Sequence, residues 1–121
     1  MSAPARILVV DDYPPSRYAF RRILATGGYA VLESGDAVGA RAAADEGVDL
    51  VIADVNLPGT TGIDLCRELR AAHANLPVIL ISASYRSGEY EDAWRSAGAA
   101  HFLEQPIDAD RLLAVVREVL P

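Results

Sequence analysis

The sequence predicts an α/β fold, a doubly wound parallel sheet with helices on both faces, over one domain spanning residues 1–121. Three observations carry that expectation. Short apolar runs of strand length alternate with helical patterns from end to end, giving five βα units. The runs are continuous, with no polar alternation, as strands covered on both faces require. Neither a linker nor a repeat interrupts the series, and such alternation selects right-handed crossovers onto a parallel sheet.

The first run is Arg6-Ile7-Leu8-Val9-Val10, ending in Asp11 and Asp12. Pro14-Pro15-Ser16 then opens a helix in which Phe20, Ile23, Leu24 and Gly27 recur at helical spacing, and Gly27-Gly28 stops it. Residues 29–32 form a second short strand, and 36–46 an Ala-rich helix capped by Asp36 or Ser34. Residues 50–53 are a third apolar run, ending in Asp54. The stretch 56–62, with Pro58, Gly59 and Gly62, reads as a loop before a helix over 63–72. Pro77 opens a fourth strand over 78–81 that ends in Ser82. Tyr90, Ala93, Trp94 and Ala97 form a helical stripe. A fifth strand covers 101–103, and a last helix covers 108–120 with Leu112, Val116, Val119 and Leu120 inward.

Composition narrows the function. At 121 residues, 51% hydrophobic and 23% charged, the chain suits a globular domain with its own core. A net charge of −6 argues against direct nucleic-acid binding, which favours a basic stripe. One cysteine, Cys66, permits no internal disulfide and fits a reducing compartment. No apolar run reaches the roughly 18 residues of a membrane span, and no secretory signal is visible, so the expected location is cytoplasmic, away from membranes. All eleven cationic residues are Arg; there is no Lys.

In open parallel sheets, ligands bind beyond the carboxyl ends of the strands. Here those ends carry Asp11 and Asp12, then Asp54, then Ser82. Carboxylates converging on one sheet edge repel each other, and a hard divalent cation such as Mg²⁺ relieves that with oxygen ligands. An aspartate can also serve as a nucleophile toward phosphorus. The bland alternative is that these aspartates only cap helices or turns. Cys66, His73, His101 and Trp94 match no metal or catalytic spacing and read as core or surface.

Taken together, Asp11-Asp12, Asp54-Val55-Asn56-Leu57-Pro58 with Gly62, Ser82-Ala83, Gly98-Ala99 and Phe102-Leu103-Glu104-Gln105-Pro106 resemble the response-regulator receiver domain of two-component signalling, over about residues 6–120. The resemblance implies a flavodoxin-like sheet of order 2-1-3-4-5. It implies Asp54 as phosphoacceptor, and Mg²⁺ held by Asp12, Asp54 and the backbone carbonyl of Asn56, with Asp11 acting mainly through a bound water. Ser82 becomes the switch hydroxyl and Phe102 the aromatic that moves with it. The implied phosphodonor partner is a histidine kinase or histidine phosphotransfer protein, with a fused or separate output domain. The domain itself catalyses at most its own phosphorylation and slow dephosphorylation. In this family the surface around residues 89–92, with the last strand and helix, often contacts partners.

One position departs from the family. Gln105 stands where a Lys usually precedes the Pro. A unit charge at about 4 Å is worth on the order of 4 kcal/mol at an effective dielectric near 20, before desolvation. An amide donor recovers only about 0.5–1.5 kcal/mol. Gln105 therefore orients a phosphoryl group without neutralising it; Arg86 in the loop after Ser82 reads first as a solvated loop arginine and second as a source of the missing charge. A close rival follows: a pseudo-receiver, the same fold used as an interaction module without phosphorylation. Tyr13 and Ser84, bordering the same loops, are candidates for tuning hydrolysis through water access. Two other classes fit poorly. A haloacid-dehalogenase-type phosphatase needs Asp-x-Asp after its first strand and a Lys. A flavodoxin-type carrier needs a hydroxyl- and glycine-rich phosphate loop where this chain has Tyr13-Pro14-Pro15.

Overall fold

The structure, a computed structural model, describes residues 3–84 and 88–120. Five parallel strands form one sheet: β1 (Arg6–Val10), β2 (Ala30–Ser34), β3 (Leu50–Asp54), β4 (Val78–Ser82) and β5 (His101–Glu104), in the order β2-β1-β3-β4-β5. Among the described residues five helices connect or follow them: α1 (Pro14–Thr26), α2 (Ala37–Glu46), α3 (Gly62–Ala72), α4 (Glu91–Ser96) and α5 (Ala109–Val119). This is the flavodoxin-like arrangement expected from the sequence.

Side chains alternate across each strand, so continuous apolar runs feed two cores at once. Ile7, Val9, Leu50, Ile52, Ile79, Ile81 and Leu103 pack against Phe20 and Leu24 of α1 and Leu112, Val115 and Val116 of α5. Leu8, Val10, Val51, Ala53, Val78, Leu80 and Phe102 point the other way, toward α2, α3 and α4. There Ala37, Ala40, Ala44, Leu65, Cys66, Leu69 and Trp94 meet them. Apart from the exposed Arg6 that opens β1, every residue of the three inner strands is therefore apolar until the carboxyl end, where Asp54 and Ser82 break the run.

The helix starts follow from local chemistry. Pro14 and Pro15 occupy the first turn of α1, where a missing N–H costs nothing. Asp36, rather than Ser34, caps α2 by accepting from the Gly39 N–H at 2.8 Å; the Ser34 hydroxyl instead donates to the Asp36 carbonyl. Thr61 caps α3 and Asp108 caps α5 in the same way.

Several details differ from the sequence reading, among them β2, which runs over Ala30–Ser34 where 29–32 was expected. The 56–62 stretch holds a small hairpin, Asn56–Leu57 against Thr60–Thr61, because Gly59 at φ 74° allows the tight reversal. Asp54 closes β3 from within, and Ser82 likewise closes β4. Tyr90 is the exposed residue before α4, not part of its buried stripe, since the helix begins only at Glu91. On α5 the fully buried face is Leu112, Val115 and Val116, while Val119 and Leu120 are only half-buried at its C-terminal end.

Candidate phosphoacceptor site

The chain leaves β1 on one side to build β2 and then crosses back past β1 to build β3 on the other, so a crevice opens at the carboxyl ends of β1 and β3. The expected residues meet there. One carboxylate oxygen from each of Asp11, Asp12 and Asp54 lies within 4.8 Å of the others. Asp11 is buried at 2% exposure, Asp54 is half-buried and Asp12 is exposed.

Each is fixed by backbone geometry. Asp11 donates its N–H to the Ser34 carbonyl at 3.0 Å and accepts the Tyr13 N–H on Oδ1 at 2.9 Å. Asp54 accepts the Asn56 N–H on Oδ1 at 3.0 Å, and the Val55 N–H continues the ladder to the Ile81 carbonyl at 2.9 Å. Burial pushes the Asp54 carboxyl up to about 6 from an ordinary 3.8. The Asn56 N–H opposes that rise, the negative charges of Asp11 and Asp12 add to it, and the Val55 N–H opposes it slightly.

The neighbouring strand ends complete the edge. Ser82 is buried at 1% exposure, and its hydroxyl oxygen accepts the Ser84 N–H at 3.1 Å. Its carbonyl accepts the Gln105 N–H at 2.8 Å, which ties the residue after β5 to the end of β4. The Gln105–Pro106 bond is cis. Asn56 Nδ2 donates to the Ser84 hydroxyl at 3.4 Å, linking the loops after β3 and β4. Phe102 is buried against Trp94, with ring centroids 5.9 Å apart and planes tilted by 35°. Arg86 lies outside the described residues.

Of the residues set aside in the sequence, Trp94 meets Phe102, while His73, His101 and Cys66 stay apart from this edge. His73 pairs with Asp45 at 3.0 Å and His101 with Glu118 at 3.8 Å. Cys66 is buried, with its Sγ 3.4 Å from the Ala97 carbonyl, and burial pushes its thiol up to about 11 against the charges of Arg70 and Arg67. Sequence reasoning missed Arg17, whose guanidinium donates to the Asp11 carbonyl at 2.6 Å. An Arg one turn into a helix carries no local signal of that contact.

Three converging carboxylates offer only hard oxygen donors, which fit Mg²⁺ and suit neither soft nor nitrogen-preferring metals. Burial first, and the charges of Asp11 and Asp12 after it, disfavour a charged Asp54 carboxyl, and a cation here would offset both.

Comparisons with known proteins agree with this geometry. Residues 7–117 match the response regulator receiver domain family. Response regulator MprA of Mycobacterium sp. (strain KMS) is 37% identical over 118 residues, covering 97% of this chain and 51% of MprA. The receiver domain of NtrX from Brucella abortus is 36% identical with a TM-score of 0.86, covering 94% of this chain and 97% of that one. Chemotaxis protein CheY4 of Vibrio cholerae superposes with a TM-score of 0.89 at 28% identity, covering 97% and 99%. The chain belongs to the response regulator receiver domain family of two-component systems. It spans about half the length of the MprA relatives it matches. Among the described residues no helix is long and apolar enough to cross a membrane.

Proposed function

We propose that this receiver domain accepts a phosphoryl group on Asp54 and changes conformation in response. The observation that carries this reading is the meeting of Asp11, Asp12 and Asp54 within 4.8 Å, beside the buried Ser82 hydroxyl, at the switch point of the sheet. The donor is a phosphohistidine on a histidine kinase or phosphotransfer protein. An Asp54 carboxylate oxygen attacks phosphorus, a P–O bond forms, and the P–N bond to the donor imidazole breaks. The imidazole leaves with the bonding electron pair.

Asp12, Asp54 and the Asn56 carbonyl would hold Mg²⁺, with Asp11 reaching it through water. When bound, the ion supplies charge neutralisation for the transferring group. The Asn56 N–H fixes the Asp54 carboxylate so that one oxygen is held and the other is left for attack. Ser82 gives up its contact with the Ser84 N–H and turns its hydroxyl to the phosphoryl oxygens. Phe102 follows, repacking against Trp94. Gln105, anchored through its N–H to the Ser82 carbonyl, donates an amide hydrogen bond in place of a charge. Tyr13 and Ser84 border the route by which water hydrolyses the product. An output domain, fused or separate, reads the switched state.

Gln105 favours a second reading, a pseudo-receiver that signals through contacts alone. Incubation with acetyl phosphate separates the two by intact mass. A Mg²⁺-dependent gain of one phosphoryl group on the wild type, absent in Asp54→Ala, is the expected result. No gain with acetyl phosphate or with a cognate kinase would move the assignment to the pseudo-receiver.

A further inference from the structure

Arg17 reaches back from α1 to the acidic edge. Its Nη1 donates to the Asp11 carbonyl at 2.6 Å, and its side chain is only 21% exposed. Its Nε is buried 3.4 Å from Glu33 Oε1, an ion-pair contact without hydrogen-bond alignment. Glu33 is held in turn by Arg21 at 2.8 Å. Gly35 leaves the room this needs, since a Cβ there would stand 3.3 Å from Arg17 Nη1.

The consequence is geometric. The Asp11 N–H is fixed by the Ser34 carbonyl, and the Asp11 carbonyl is fixed by Arg17. That carbonyl belongs to the peptide joining Asp11 to Asp12, so its orientation sets how the two carboxylates are presented. A charge-assisted bond from a partly buried guanidinium is a strong constraint on that plane. The same strand, β2, supplies both anchors: Ser34 directly and Glu33 through Arg17.

We infer that Arg17 is a positioning residue for divalent-cation binding, holding the Asp11–Asp12 peptide so that its two carboxylates converge with Asp54. The inference rests on the reading of that cluster as a Mg²⁺ site. Residues that orient metal ligands from behind typically change affinity by about 10–100-fold when removed. Nothing in the chemistry of phosphoryl transfer is assigned to Arg17 itself.

Calorimetric titration of the folded protein with Mg²⁺ tests it. Arg17→Ala weakens Mg²⁺ binding roughly tenfold. Arg17→Lys recovers part of that, because an ammonium can still donate to the Asp11 carbonyl. Glu33→Gln, which keeps the Asp11 bond and loosens its tether, weakens binding by less than Arg17→Ala. Arg41→Ala, which removes the remote Arg41–Glu68 pair, leaves the affinity unchanged and controls for a general loss of ion pairs. Wild-type affinity in Arg17→Ala overturns the inference. Should Arg17→Ala fail to fold, wild-type affinity in Glu33→Gln overturns it instead. Failure of the wild type to bind Mg²⁺ is a different result, and overturns the metal site on which the inference rests.

Discussion

Gly62 sits directly against the backbone of Asp54: a Cβ at residue 62 would overlap the Asp54 carbonyl oxygen and press on Val55 Cα. The Gly62 N–H also donates to the Val55 carbonyl at 2.8 Å, so the first residue of α3 is stacked on the strand end that presents the acceptor. The obstacle is backbone, which cannot swing aside as a side chain can. Gly62→Ala is therefore expected to destabilise the fold by about 1–3 kcal/mol, the usual range for overpacking a close contact. Urea unfolding of the two proteins measures this. A difference below about 0.5 kcal/mol, ordinary for a surface change, contradicts the account.

The raised Asp54 carboxyl gives a pH dependence with a definite sign. Its folded value of about 6 lies above the ordinary 3.8, so the fold favours the protonated form. The stability this group contributes is full below about pH 4 and is lost as pH rises through about 6. Without divalent cations, the wild type should lose stability relative to Asp54→Asn across that window, because the amide does not titrate. Parallel stability curves for the two proteins would remove the basis of the argument. Added Mg²⁺ should restore the wild type near neutral pH and bind more weakly as pH falls below about 6, where protons compete.

Gln105 makes a charge prediction. Gln105→Lys should speed phosphorylation by acetyl phosphate at fixed Mg²⁺ by about tenfold, equivalent to roughly 1.4 kcal/mol, well under the ~4 kcal/mol of an undiscounted charge at 4 Å. The rate is read from the time course of intact mass. A variant no faster than the wild type refutes the charge-deficit account.

Trp94 is the only tryptophan in the chain, and it touches Phe102 at 5.9 Å between centroids. If Phe102 moves when Ser82 does, phosphorylation should change the Trp94 emission in the wild type. Asp54→Ala should show no change, and Phe102→Leu a much smaller one. Identical spectra before and after phosphorylation of the wild type would sink the switch role of Phe102.

The fold was legible because parallel strands buried on both faces leave uninterrupted apolar runs, and the polar residue that ends each inner run marks the functional edge. Asp54 and Ser82 stand out for that reason alone. The first turn of α1 was legible from Pro14 and Pro15, and the cap of α2 only as a choice between Asp36 and Ser34, which the Gly39 contact decides for Asp36. What escaped was set by contacts between distant segments. Arg17 finds the Asp11 carbonyl only after α1 folds back over β1, and Asn56 meets Ser84 only when two crossovers align their loops. The small 56–61 hairpin depends on a reversal at Gly59 that composition alone reads as a generic loop. Tyr90 looked buried because its spacing fits a helix that in fact starts one residue later.

Trapping the product at its own residue tests the central claim most directly. Borohydride reduces an aspartyl phosphate to homoserine, so wild-type protein treated with acetyl phosphate and Mg²⁺, reduced and mapped as peptides, should carry homoserine at position 54. Unmodified Asp54, with the phosphoryl group found on another residue or on none, would contradict the assignment of Asp54 as the acceptor.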